Sequence, residues 1–324
     1  MKVRTAVVGL GWWGREHVKS VADSTKMEIV HLVDPNLEIA KPFAEELGLP
    51  LSAKYEDVLS DDRIDAVILA TPHDLHTEQV IAAAKAGKHV FTEKPFAMSA
   101  ADAEKQVRAC KEAGVQLGIG LIQRFLQPHH RIKQLLEEGQ LGTAMHGDAC
   151  VSHDVLLNID TWRKNPQQAP AGGIHHTGTH LIDLFIWMLG PVARVYGQIT
   201  SHIFENDTAI AILTFASGQT ATITNVMATA EFRYFHLYGS EGWARRINDT
   251  TLVIKARGGE EEEISFPPSY EVRANNEAFA DAIAGGGAYP ISTDDMIHNV
   301  AVLDAISQSM RIGLPVDVQP LSPV

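Results

Sequence analysis

The sequence is short of cysteine, of basic charge and of long apolar runs, and each shortage excludes something. Two cysteines, Cys110 and Cys150, are too few for a disulfide scaffold and fit a reducing compartment. Lys and Arg total 27 against 40 Asp and Glu, a formal charge of −13, so nucleic acid and anionic membrane are repelled rather than bound. The greasiest stretch, Leu181 to Leu189, is about half a membrane span and carries Asp183. It reads as a buried helix of a soluble, cytoplasmic protein. The start, Met1 to Leu10, has no signal-peptide core. What is plentiful is apolar residues, 45% of 324, enough to core two domains, and histidine, 15 in all with ten beyond residue 122.

The first 120 or so residues alternate two patterns. Short apolar runs without polar alternation, at Arg4–Val8, Glu28–Val33, Ala66–Ala70, His89–Thr92 and Val115–Ile119, predict strands buried on both faces. Between them fall helices: Leu37–Leu47 closed by Gly48, one capped by Asp74 and ending at Gly87, and one opened by Ser99 with Asp102 and running to Ala113. Strict alternation implies parallel pairing with right-handed crossovers, hence an α/β doubly wound sheet over residues 1–122.

Residues 123–324 read differently. Thr208–Phe215 and Thr220–Met227 are strands joined by a tight turn at Ser217-Gly218, and Glu231–Tyr238 and Thr251–Lys255 continue a meander. Glu260–Glu263 is a solvated strand edge, and helices are expected over Tyr270–Ala284 and Asp294–Arg311. The expectation is an α+β domain with a large, mostly antiparallel sheet and helices on one face.

Gly9-Leu10-Gly11-Trp12-Trp13-Gly14 is a G-x-G-x-x-G run between a buried strand and a helix. Gly9 permits the tight turn, Gly11 lets the backbone approach a pyrophosphate, and Gly14 allows close helix–strand packing. The next strand ends at Asp34, whose carboxylate can accept ribose hydroxyls and would repel a 2′-phosphate. NAD is therefore expected over NADP, with Trp12 and Trp13 narrowing the cleft. Thr71, Pro72, His73 and His76 follow the third strand at the sheet edge where such folds bind ligands, and are candidate cofactor contacts. After the fourth strand comes Glu93-Lys94-Pro95. Lys94 there can hydrogen-bond a substrate hydroxyl and stabilise alkoxide character; read alone, an exposed surface lysine is the default reading.

These segments together resemble the Gfo/Idh/MocA (glucose–fructose oxidoreductase / inositol dehydrogenase / MocA) family of NAD(P)-dependent oxidoreductases. The resemblance rests on GLGWWG, Asp34-Pro35, TPHDLH, AGKHVFTEKP, a later GG…H…D segment and the closing Arg311–Val316, and it covers essentially the whole chain. It implies a Rossmann domain followed by an α/β domain whose open sheet mediates homodimers or homotetramers. It also implies a catalytic Lys94, with Glu93 beside the nicotinamide.

The later segment is Ala171-Gly172-Gly173-Ile174-His175-His176-Thr177-Gly178-Thr179-His180-Leu181-Ile182-Asp183. If a helix is already running at His176, then His176 and His180 share one face and Asp183 lies a turn further on. Three readings stand: proton transfer by histidine, a metal site completed by Asp183 or His175, or helix capping and packing. The resemblance implies an acid/base role for His180. Relatives carry an Asp four residues earlier, where this chain has His176; losing that negative charge lowers the pKa of His180 relative to theirs. Trp162-Arg163 resembles a pair whose Arg approaches cofactor or substrate, and His153 is a further candidate for substrate contact. The sequence thus leads to an NAD-dependent dehydrogenase acting on a secondary hydroxyl of a sugar, polyol or related cyclic compound, with no metal. The alternatives are an NAD-dependent glycosidase working by transient oxidation and a non-catalytic NAD(H) sensor.

Overall fold

The computed structural model describes residues 1–154 and 169–319. They divide into two compact units, one formed by Met1–Leu121 with Tyr270–Ile297, the other by residues 122–154, 169–269 and 298–319.

The first unit holds six strands: β1 (Val3–Val8), β2 (Met27–Val33), β3 (Leu51–Ser52), β4 (Ala66–Leu69), β5 (His89–Thr92) and β6 (Leu117–Ile119). Their order is β3-β2-β1-β4-β5-β6, and every pairing is parallel. The strand order changes direction between β1 and β4, the switch point where open parallel sheets take ligands. Five helices cross between the strands: α1 (Trp12–Ser20), α2 (Leu37–Leu47), α3 (Glu56–Leu59), α4 (His76–Lys85) and α5 (Ala100–Ala113). The punctuation read from sequence acts at α2, which ends at a left-handed Gly48, and at α5, where Ser99 accepts from the Asp102 N–H at 3.2 Å. Asp74 is not a cap. It lies inside a single tight turn, His73–Leu75, started by Pro72, and no side chain caps α4. The two-residue β3 and the four-residue α3 are too short to have a periodicity and were not foreseen.

The second unit carries a nine-stranded sheet built from β7 (Ala144–Asp154), β8 (Val192–Thr200), β9 (Thr208–Phe215), β10 (Thr220–Val226), β11 (Ala228–Gly239), β12 (Gly242–Asn248), β13 (Thr251–Ala256), β14 (Glu261–Ser265) and β15 (Val316–Asp317). The order is β14-β13-β12-β11-β7-β10-β9-β8-β15. The simple meander does not form: β10 and β11 are consecutive in sequence, but β7 lies between them, parallel to β10 and antiparallel to β11. Along β9 and β10 every second side chain is buried, so one face of the sheet is cored and the other carries half-exposed Ile210 and Ile212. Helix α6 (Gln127–Glu137) and helix α7 (Thr179–Leu189) belong to this unit, and α7 is buried at every position but Trp187. Within it Asp183 receives both Nε and Nη2 of Arg124, at 2.8 and 2.7 Å, with both side chains out of water.

Helix α8 (Glu271–Ile283) returns to the first unit, where Phe279 meets Phe91 edge-on, and α9 (Thr293–Ile312) leads back out. A cut at residue 122 does not foresee this return.

Candidate functional site

The glycine turn closes as its spacing requires. Gly9 has φ +90°, and a Cβ there would lie 2.7 Å from the Ala70 carbonyl oxygen; a Cβ on Gly14 would lie 1.8 Å from the Gly9 oxygen. At Gly11 a Cβ would meet nothing within 4 Å. The backbone is thus packed on two sides and open on the third, and no side chain caps the start of α1. An open approach to an uncapped helix N-terminus suits a pyrophosphate. Asp34 ties this turn to the end of β2: Oδ2 accepts from the Leu10 N–H at 2.7 Å and Oδ1 from the Asn36 N–H at 2.8 Å. A carboxylate has lone pairs beyond those two, so Asp34 can still accept ribose hydroxyls. These residues fit a dinucleotide.

The two flanking loops are braced from inside. His76 is fully buried, with Nδ1 3.1 Å from the Pro95 carbonyl and Nε2 3.1 Å from the Thr71 carbonyl. Its ring joins the loop after β4 to the loop after β5, and desolvation lowers its pKa. The Thr71 hydroxyl donates to Gln79 Oε1, and His73 is buried in the turn that follows Pro72. Glu93 is also turned inward: Oε1 is 3.0 Å from His17 Nε2, and Oε2 accepts the Lys94 N–H at 3.1 Å. Lys94 itself extends to the glycine turn, with Nζ 5.9 Å from the centroid of the half-buried Trp13 ring. Trp12 stands edge-on to Trp13 and is 68% exposed.

In the second unit Ile174–Gly178 form a π-helical turn that runs into α7, so the helix is already wound at His176. Such wide turns are over-represented at functional sites. His176 and His180 are both buried, each 8% exposed. His175 is spent structurally: Nδ1 accepts the Ala171 N–H at 3.1 Å, and burial, with His176 beside it, pushes its pKa down to about 3. Thr177 is a hub whose hydroxyl accepts from Asn225 Nδ2 at 2.7 Å, donates to the Gly173 carbonyl at 3.3 Å, and lies 3.2 Å from His153 Nε2. His153 therefore belongs to the histidine segment, which sequence spacing alone did not say. Asp183 is bound by Arg124, which removes it as a ligand for a metal. Among the described residues no three His, Cys, Asp or Glu side chains are grouped to hold a metal ion. Trp162 and Arg163 lie outside the described residues.

Two residues went unmarked in the sequence. Asn225 stands where the buried row Ala221, Ile223 would continue with an apolar side chain, and that break was its signal. His17, three residues after Gly14, is wholly buried against Glu93 and Asn276; nothing local announced it.

Comparison with known proteins agrees with this architecture. Residues 3–121 match the model of an oxidoreductase family with an NAD-binding Rossmann fold, and residues 129–245 match the GFO/IDH/MocA C-terminal domain. An uncharacterized oxidoreductase of Streptococcus pneumoniae serotype 4 is 40% identical over 189 residues, which are 58% of this chain and 50% of that protein. The scyllo-inositol 2-dehydrogenase (NAD(+)) of Bacillus subtilis is 29% identical over 98% of this chain and 96% of its own length. Among solved structures, levoglucosan dehydrogenase in complex with NADH has the same fold, with a TM-score of 0.90 at 21% identity over 99% of this chain and all of that one.

Proposed function

The chain belongs to the Gfo/Idh/MocA family of NAD-binding oxidoreductases, and on that premise we propose that it oxidises a secondary hydroxyl of a sugar, polyol or related cyclic compound. The observation that carries this reading is the Lys94 ammonium beside Trp13 on the dinucleotide turn. A cation next to the cofactor turn supplies what an alcohol oxygen needs as it gains negative charge. Gly9, Gly11, Trp12, Trp13 and Gly14 would hold the pyrophosphate, Asp34 the ribose, and Thr71, Pro72 and His73 the flank; His76 and Glu93 brace this wall from within. When bound, NAD supplies the hydride acceptor. Lys94 orients and stabilises the substrate oxygen, His180 accepts the hydroxyl proton, and His176 orients His180 or holds a second hydroxyl. His153, joined to the segment through Thr177, extends the polar surface offered to the substrate. In this reading the first unit serves the dinucleotide and the second the substrate. The half-exposed Ile210 and Ile212 face of the nine-stranded sheet is where copies of the chain associate.

A panel of sugars and polyols assayed for NADH formation, with NADP in parallel, tests the reading. Lys94→Ala and His180→Ala are expected to lower turnover by about 100-fold or more. Normal turnover by Lys94→Ala would sink the assignment, and equal rates with NADP would overturn the role of Asp34. Substrate cleavage without net NADH would point instead to transient oxidation. NADH binding without turnover of any substrate in the panel would point to a sensor.

A further inference from the structure

Glu93 is a carboxylate only 5% exposed, and a buried carboxylate is costly unless its oxygens are hydrogen-bonded. Space for it is made by Gly120, where a Cβ would come within 2.5 Å of Glu93 Oε1. On the other side stands His17, from the helix whose first turn is the dinucleotide turn, with Nε2 3.0 Å from Oε1. The remaining ring nitrogen faces Asn276 on α8. Its Nδ2 lies 3.0 Å from His17 Nδ1 and 3.0 Å from the Ser20 hydroxyl, which in turn donates to the His17 carbonyl at 2.7 Å. Asn276 Oδ1 is also near Nδ1, at 3.2 Å, so Asn276 can donate to that nitrogen or accept from it, while Nε2 faces a carboxylate oxygen, an acceptor, and so donates to Glu93. The other Glu93 oxygen takes the Lys94 N–H.

We propose that His17 is a positioning residue: by holding Glu93 it fixes the peptide from which Lys94 extends, and so couples the cofactor turn to the ammonium that acts on the substrate. This rests on the reading of Lys94 given above. The coupling is a chain of short contacts within one unit, from α1 through His17 and Glu93 to the backbone of Lys94. Packing alone would ask only for an apolar side chain at position 17, and an amide at position 93 would satisfy the same space without burying charge. The pairing of a donor ring with a carboxylate one residue from Lys94 is what a device for orientation requires.

The test compares His17→Leu, which keeps bulk and removes the donor, with His17→Gln, whose amide nitrogen can take the place of Nε2. Active sites are counted by NADH titration. The proposal expects His17→Leu to lower kcat per site by about 10- to 100-fold with substrate KM and NADH affinity little changed, because a lysine displaced by about 1 Å loses that much. His17→Gln should recover most of the loss. An unchanged kcat per site in His17→Leu, or equal damage in both variants, would overturn it. A second readout needs no turnover: in crystals, the distance from Lys94 Nζ to the Trp13 ring should change in His17→Leu and be restored in His17→Gln. An unmoved Lys94 refutes positioning by His17 even if the substrate class has been misjudged, whereas failure of Lys94→Ala to affect turnover refutes the catalytic reading and leaves the crystal comparison to decide. Should His17→Leu not fold, His17→Asn, too short to reach Glu93, replaces it in both measurements.

Discussion

Lys94 Nζ lies 5.9 Å from the centroid of the Trp13 ring, so the lysine after β5 and the turn after β1 meet through a cation and an aromatic face. A point charge on a flexible stem and a planar guanidinium both favour such a face, but they do not present the same donors to a single oxygen. Lys94→Arg is therefore expected to fold and bind NADH normally while losing about tenfold or more in kcat/KM, the cost of one misdirected charge-assisted contact. Steady-state kinetics beside an NADH titration checks it; activity equal to wild type would show that charge alone suffices.

Two neighbouring glycines should fail in different ways. Gly14→Ala places a methyl 1.8 Å from the Gly9 oxygen, a backbone atom that cannot swing aside, so the variant should lose thermal stability together with NADH binding. Gly11→Ala places its methyl in open space, so its melting temperature should match wild type. Its NADH affinity should fall by about tenfold or more, equivalent to about 1.4 kcal/mol, because the methyl stands where the pyrophosphate approaches. Calorimetry and fluorescence titration on the pair separate the two effects, and a Gly11→Ala protein with unchanged affinity would put the phosphate elsewhere.

Asp183→Ala leaves Arg124 buried without its carboxylate. Breaking a buried pair costs about 3–5 kcal/mol, which for a chain of this size lowers the melting temperature by on the order of 10 °C. A shift within a degree or two would mean that solvent or Trp187, whose ring centroid is 5.7 Å from the Arg124 guanidinium carbon, carries the charge unaided.

Acid should weaken the fold through its buried imidazoles. An unfolded histidine takes up its proton below about pH 6.5; His175 in the folded chain does so only near pH 3, because burial and His176 oppose the charge. Between those values the unfolded chain holds more protons. Stability therefore rises with pH across the window and is lost as pH falls from 6.5 toward 3, with a slope of up to about 1.4 kcal/mol per pH unit from one such group. His76 and His129, both lowered by burial, act in the same direction. Denaturant titrations at pH 7.5 and 5.0 should show this loss, and His175→Gln should reduce it. An equal loss in the variant would remove His175 from the account.

Much of the first unit was legible because its signals are local. Leu37–Leu47 with Gly48, and Ser99 with Asp102, act where they were read. Runs such as Ala66–Leu69 are apolar on both faces because they lie inside a parallel sheet. Local rules failed where two of them compete: Asp74 is a good cap residue, but Pro72 had already begun a tighter turn around it.

The sequence by itself determined the sheet classes, the glycine turn, the acidic residue at the end of β2 and the lysine at the end of β5. Those depend on residues within a few positions of one another, so periodicity and steric limits carry them. Only the tertiary structure decided that β7 separates β10 from β11, that Asp183 is taken by Arg124, that Thr177 gathers His153 and Asn225, and that His17 holds Glu93. Each of these joins residues tens of positions apart. Which distant donor meets which buried acceptor is set by how whole elements pack to keep polar groups paired, and no local pattern encodes that choice.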